Sequence, residues 1–192
     1  MPKIKYGISN VYYAIATIAA DGTATFGSPV QIPGARSLSL TANGDMIKYY
    51  ADNIEWWTCA ANNGYSGSLN LAYLPDGVRE ALLHEKRDSK DILLEDPNAT
   101  AVHFALLGQF ENDSKNRRFI FYNCVASRPD ESGNTKEENI SPEETSIPIE
   151  VGTIYNSSLS IYTTKAATTE DTASTEYNAW FTSVYTATAL HT

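Results

Sequence analysis

The chain has 192 residues, the length of one domain with arms, and its 42% hydrophobic content argues against wholesale disorder. Against 14 basic residues stand 23 acidic ones, a net charge of −9, the reverse of what phosphate-neutralising proteins carry, so sequence-reading on nucleic acid is not expected. The longest apolar runs fall far short of a spanning helix, and the opening Met1-Pro2-Lys3-Ile4-Lys5-Tyr6-Gly7 lacks an apolar leader core, so the chain is expected to have no membrane span and to stay in the cytosol of the cell that makes it.

A chain of this length buries roughly 70% of its extended surface on folding and needs neither a disulfide framework nor a structural metal. Only 19% of its residues are charged, against roughly 25% in average soluble proteins. Solubility then rests on Ser, Thr and Asn, and a surface partly covered by partners is a first hint of a subunit.

The dominant period along the chain is two. Val11–Ile18 reads as a strand rich in aromatic and β-branched residues, Asp21-Gly22 as a turn, and Thr23–Phe26 as a second short run. After Pro29, Pro33 and Gly34, the stretches Arg36–Leu40 and Ser68–Ala72 alternate with leucines on one face. Further strands are expected at 101–110, 117–127, 145–151 and 158–164. Eight to ten short strands indicate a mainly β protein, an antiparallel sandwich or barrel.

Two segments break that rhythm. In Pro75–Arg87, Asp76 is placed to cap a helix over about 76–86, with Val78, Ala81 and Leu82 turned inward and Lys86 and Arg87 suiting the C-terminal dipole. Near the C-terminus, Tyr177, Trp180, Phe181, Val184 and Tyr185 recur at helical spacing, which favours a helix over a strand for 175–185, with Ser174 or Thr175 as cap. Residues 165–175 form a small-residue linker to it. The acidic stretch 129–144 is a solvated loop or an arm that orders against a neighbour.

Little in the chain resembles a reaction centre. Gly64-Tyr65-Ser66-Gly67 is one residue short of a nucleophile elbow and precedes a strand, so a tight turn at Asn62-Asn63-Gly64 is the better reading. His84, His103 and His191 fall on a helix, a strand and the C-terminus without zinc spacing. Cys59 and Cys124 are expected to be buried thiols. Four Asn-x-Ser/Thr triplets, at 98, 112, 139 and 156, carry no weight in a chain expected to stay in the cytosol. Spatial pairs of carboxylates are invisible to sequence, but no catalytic residue, cofactor or metal site is expected.

Several strands are apolar on both faces. Trp56 and Trp57 are adjacent and point to opposite sides of any regular strand. In 117–127, Phe119, Phe121 and Val125 line one face while Ile120, Tyr122 and Cys124 line the other. Either helix and loops cover both faces within the chain, or a second molecule covers one. Ile147-Pro148-Ile149 implies an edge strand or a bulge, because proline cannot donate to a ladder. Tyr49, Tyr50, Trp56, Trp57 and Tyr65 crowd residues 49–65, as core, carbohydrate platform or protein interface.

The order Ile32-Pro33-Gly34-Ala35, Ser37–Leu40, Gly44-Asp45, Tyr50–Asn53, Asn63–Gly67, Pro75-Asp76, Phe104–Leu107, Arg117-Arg118 and Tyr122–Pro129 resembles the major tail proteins of long, flexible, non-contractile-tailed bacteriophages and prophages. The likeness spans residues 4–185 and lies in the succession of these motifs. It implies a single tail tube domain, a β-sandwich with one flanking helix. It also implies a structural, non-enzymatic role in which hexameric rings stack around a tape-measure protein, between tail terminator and tail tip proteins, into a hollow conduit for double-stranded DNA. The location implied is the virion tail, assembled in the host bacterial cytoplasm. A long loop reaching the next ring corresponds to residues 43–65. The subunit-interface candidates are Tyr49, Tyr50, Trp56, Trp57 and Tyr65 in or beside that loop, with Ile147 and Ile149 on the expected edge strand. The competing expectation is a carbohydrate- or host-surface-binding β-sandwich module.

Overall fold

The structure, a computed structural model, describes residues 4–112, 115–133, 135 and 143–190. Alternating patterns become strands β1 (Lys5–Ile18), β2 (Ala24–Phe26), β3 (Val30–Gln31) and β4 (Ala35–Ala42). A hairpin of β5 (Met46–Ala51) and β6 (Ile54–Ala60) follows, then β7 (Tyr65–Leu71), helix α1 (Asp76–Leu82), and the two-residue strands β8 (Lys86–Arg87) and β9 (Leu93–Leu94). The second half holds β10 (His103–Asn112), β11 (Arg117–Ala126), β12 (Thr145–Gly152), β13 (Ile154–Asn156), β14 (Ile161–Thr163), β15 (Lys165–Ala167) and helix α2 (Ser174–Ala179). The chain is thus mainly β and antiparallel, a sandwich with a flanking helix. Among the described residues there are more strands than expected; β3, β8, β9, β13 and β15, at two or three residues each, are too short to leave a pattern.

The main sheet runs β2-β1-β10-β11-β12-β7-β4, with β3 added beside β1 and β15 beside β11. It folds over so that β4 returns against β1. The enclosed face carries the principal core: Val11, Phe104, Leu106, Leu69, Leu71 and Phe119 among others, closed at one end by Val78 and Leu82 of α1. A second core lies on the outer face of β1, β10 and β11, where Ala14, Ala105, Leu107, Ile120 and Tyr122 are covered by Trp180, Phe181 and Val184 of the C-terminal segment. Cover for the two-faced strand 117–127 therefore comes from within the chain.

Several expectations need correction. The first helix ends at Leu82, because His84 adopts φ 56 and turns the chain toward β8. Pro75 occupies its N-cap, and Asp76 accepts from the Tyr73 hydroxyl at 3.4 Å instead of capping. The C-terminal helix is shorter than 175–185, starts after Ala173, and stops before Trp180. Its spaced aromatics still mark the face that packs: Trp180 is buried, while Phe181 and Val184 pack partly buried against the second core. The expected linker 165–175 begins as a strand, β15. Between Leu106↔Phe121 and Phe104↔Cys124, β11 has one residue more than β10, and this bulge moves Cys124 to the face of Phe121. Of the acidic loop 129–144, residues 134 and 136–142 lie outside the described residues, as do His191 and the triplet at Asn139.

Pro148 sits in an interior strand, not at an edge. β12 pairs with β7 over Thr145–Val151 on one side and with β11 over Ile149–Gly152 on the other. Pro148 falls where β11 has just ended, and its carbonyl accepts the Ser127 N–H at 2.9 Å. A residue's N–H and C=O point the same way in an antiparallel strand, so the missing donor faces Ser127 at the end of β11: the β7 ladder is untouched, and only the reciprocal bond to the Ser127 carbonyl is absent. Its neighbours Ile147 and Ile149 face the principal core, each 2% exposed.

Candidate assembly interface

Beyond Ala42 and Tyr65 the β4–β7 pair continues as the β5–β6 hairpin, a two-stranded ribbon that leaves the sandwich. Its neck is pinned by Asn43 N–H to Gly64 O and Asn63 N–H to Asn43 O, both 2.9 Å, and by the Ser66 hydroxyl to Asn43 Oδ1 at 2.9 Å. Two glycines are required there. A Cβ on Gly44 (φ 147) would stand 1.9 Å from Ala61 O, and one on Gly64 (φ 82) would stand 1.8 Å from Val151 O. The tight turn expected at Asn62–Gly64 is not formed: the chain runs on from β6 into β7 opposite Asn43, although Gly64 has a positive φ and Asn62 Oδ1 accepts the Gly64 N–H at 3.2 Å. Ser66 is accordingly a strand residue tied to the neck.

The ribbon closes through Asp52 and Asn53, at φ 52 and 62, between the paired residues Ala51 and Ile54. Two successive left-handed residues make the hairpin turn that matches strand twist, and Asp and Asn tolerate it best after glycine. The register Ile47↔Cys59, Lys48↔Thr58, Tyr49↔Trp57, Tyr50↔Glu55 skips Trp56, which is a one-residue bulge. Pairing sorts the remaining side chains into two faces. One carries Ile47, Tyr49, Ile54, Trp57 and Cys59. The other carries Met46, Lys48, Tyr50, Glu55 and Thr58. On this second face Lys48 Nζ is 2.7 Å from Glu55, which also accepts from the Thr58 hydroxyl. The lysine first, and the hydroxyl second, hold the Glu55 carboxyl below the usual carboxylate range.

Both faces are exposed. Tyr49, Tyr50, Trp56 and Trp57 are between 53% and 64% accessible, and Met46, Ile47 and Ile54 are comparable. With aromatic side chains of about 150–250 Å² each, the four rings present roughly 500 Å². The three aliphatic side chains raise the total to roughly 800 Å², divided between the two faces, so that the face with Ile47, Tyr49, Ile54 and Trp57 presents roughly half of it, comparable with the 300–600 Å² of a typical monomer's largest apolar patch.

Of the sequence-predicted interface residues, the structure brings Tyr49, Tyr50, Trp56 and Trp57 together on the ribbon. Tyr65 is at the neck, half-buried edge-on against Phe121 at 5.5 Å with Lys165 Nζ 4.9 Å from its ring. Ile147 and Ile149 are committed to the principal core and present nothing to a neighbour. Sequence reasoning passed over Met46, Ile47 and Ile54, of which Met46 and Ile47 lie at the neck end of the ribbon and Ile54 beside its turn, opposite Ala51. Cys59 is exposed on the ribbon, contrary to expectation, while Cys124 is buried.

Elsewhere the polar groups are engaged locally. His103 Nδ1 is 2.7 Å from Asn123 Oδ1, and His84, just past α1, has Nδ1 3.1 Å from Thr100 O. Among the described residues no three His, Cys, Asp or Glu side chains are grouped to hold a metal, and no helix is long and apolar enough to cross a membrane. No protein-family model and no curated protein matches the chain.

Proposed function

We propose that this chain is a structural subunit that self-associates, in the manner of a tail tube protein, as six-membered rings stacked into a hollow tube around a tape-measure protein. The observation that supports this reading is the ribbon: roughly 800 Å² of apolar surface, divided between two faces, on an element with no core of its own. A hairpin of two strands is marginal alone in water, so its exposed rings gain most from a surface supplied by another molecule. Charge is compatible with a conduit. Six copies at −9 each carry a formal −54, and a non-basic wall binds few phosphates, letting DNA pass. Terminator and tip proteins at the tube ends, and the virion tail as location, belong to the same proposal.

The test is negative-stain imaging of concentrated protein, with and without tail-tip seeds. Rings with six-fold end views, or tubes, are the expected result. Tyr49→Ala with Trp57→Ala removes the centre of the ribbon face and should abolish them. The monomer's stability should move by no more than about 0.5–1 kcal/mol, the range for exposed and cross-strand positions. A protein that stays monomeric under every seeded condition and binds a glycan through Trp56 or Trp57 would replace this reading with a sugar-binding module.

A further inference from the structure

We propose that the neck of the ribbon is a site of spontaneous covalent modification: the Asn43 side chain deamidates through attack by the Gly44 amide nitrogen, while Asn63, facing it across the neck, is protected. Asn43 and Asn63 are the two asparagines of the chain that precede a glycine. A following glycine has no Cβ to keep its nitrogen away from the asparagine side chain, so the two pairs are equally reactive as sequence. The fold separates them.

At the first pair the nucleophile is open and the electrophile is polarised. Gly44 is exposed, and among the described residues its N–H donates to no protein acceptor. Asn43 Oδ1 accepts the Ser66 hydroxyl at 2.9 Å. That oxygen gains negative charge as the nitrogen attacks, so a donor already in place stabilises the tetrahedral intermediate. At the second pair the nitrogen is closed off. Gly64 is buried, and its N–H is held by Asn62 Oδ1 at 3.2 Å.

The reaction needs only water. The Gly44 nitrogen gives its proton to solvent and bonds to Asn43 Cγ; the side-chain nitrogen takes a proton from solvent and leaves as ammonia, closing a succinimide ring. Water then opens the ring. Addition at Cγ breaks the new C–N bond and gives an aspartyl residue, and addition at the main-chain carbonyl carbon breaks the original peptide bond and gives an isoaspartyl residue. In the second product the chain runs through Cβ and Cγ, one carbon longer. The former Asn43 carbonyl, which accepts the Asn63 N–H at 2.9 Å, becomes a carboxylate off the chain. The bonds that set the direction of the ribbon are thus rebuilt at one residue, with a negative charge added two residues before Asp45.

Peptide mapping by mass spectrometry tests this on the full chain, held for days in mildly alkaline buffer and, in parallel, in urea. Each deamidation adds about one dalton to its peptide. The two sites should react at comparable rates in urea. In the folded chain Asn43 should react at least about tenfold faster than Asn63, the worth of one hydrogen bond in a rate. Variants are first checked for native near-UV dichroism. Ser66→Ala should slow Asn43 about tenfold, and Ser66→Thr, which keeps a hydroxyl, should retain the parent rate. Asn62→Ala, at an exposed position, frees the Gly64 N–H and should speed Asn63 severalfold with Asn43 unchanged. Equal rates at the two sites of the folded parent, or reaction at both sites in urea with none at Asn43 in the fold, would refute the site without recourse to any variant. A folded Ser66→Ala that loses ammonia at Asn43 as fast as the parent would refute the part given to the hydroxyl.

Discussion

Trp180→Ala tests the claim that the outer face of the sheet is covered from within the chain. Trp180 is 3% exposed, stacks on Tyr185 at 5.6 Å and 15°, and its indole N–H reaches Phe119 O at 3.4 Å. Beneath it, Ala14, Ala105, Leu107 and Ile120 are wholly inaccessible to solvent. Truncating a buried tryptophan costs about 3–5 kcal/mol through lost transfer energy and the cavity left behind. Against a total of about 5–15 kcal/mol, that is a large fraction. For a domain of this size each kcal/mol moves Tm by about 2–4 °C, so the expected fall is roughly 6–20 °C. Urea unfolding of the dilute monomer measures the loss directly. An unchanged slope means the C-terminal segment unfolds with the sandwich, and a reduced slope means it detaches first. Trp180→Phe, which keeps an aromatic ring but not the N–H, should lose substantially less. A loss below about 1 kcal/mol in the monomer would refute the internal cover and return the second face of β11 to a neighbouring molecule.

Gly64→Ala should cost at least about 2 kcal/mol, from left-handed strain and the collision with Val151 O, and should lower the urea midpoint; an unchanged midpoint contradicts the neck geometry. Burial pushes the Tyr122 phenol and the Cys124 thiol up from their ordinary values of 10.0 and 9.0. Above about pH 9 the unfolded chain therefore holds fewer protons than the folded one, and stability falls with rising pH by up to about 1.4 kcal/mol per unit for each group. Urea midpoints should be insensitive to these two groups below pH 8.5 and decline above pH 9, with Tyr122→Phe flattening the decline; an equal decline in that variant counts against the assignment. A thiol reagent should label Cys59 alone in the native monomer and Cys124 only after denaturation, and rapid labelling of both without denaturant would be inconsistent with the buried core.

The sandwich was legible because period-two patterns survive wherever a strand has one core face: Ile147, Ile149 and Val151 alternate and are buried alternately. What escaped sequence reading is what one local residue changes non-locally. The bulge that turns Cys124 inward depends on the count of residues in β10 and β11, not on either alone. His84 ends α1 by adopting a left-handed conformation that helical spacing does not signal. Pro148 looked like an edge marker because only the pairing shows that β11 stops before reaching it. The ribbon was half legible. Its aromatics stood out, but their sorting into a charged and an uncharged face follows from the skip at Trp56, which no periodicity contains.

That sorting says which face is fit for burial. The C-terminal segment is held to the sheet by Arg118, whose guanidinium lies 3.8 Å from the Tyr177 ring and whose Nε donates to Gln109 Oε1 at 3.1 Å, and by the Tyr122 hydroxyl to Tyr185 O at 2.8 Å. With the sheet's own faces thus satisfied, the ribbon's apolar surface is surplus to folding. Docking the face with Lys48 and Glu55 would strip water from an ion pair, and the desolvation of two charges offsets most of what their attraction returns. Docking the face with Ile47, Tyr49, Ile54 and Trp57 desolvates no charge, so nearly all of its hydrophobic gain remains available to association. An interface built on the ribbon should therefore weaken sharply with Trp57→Ala. It should respond little to the paired replacement of Lys48 and Glu55 by glutamine, which leaves the buried face unaltered.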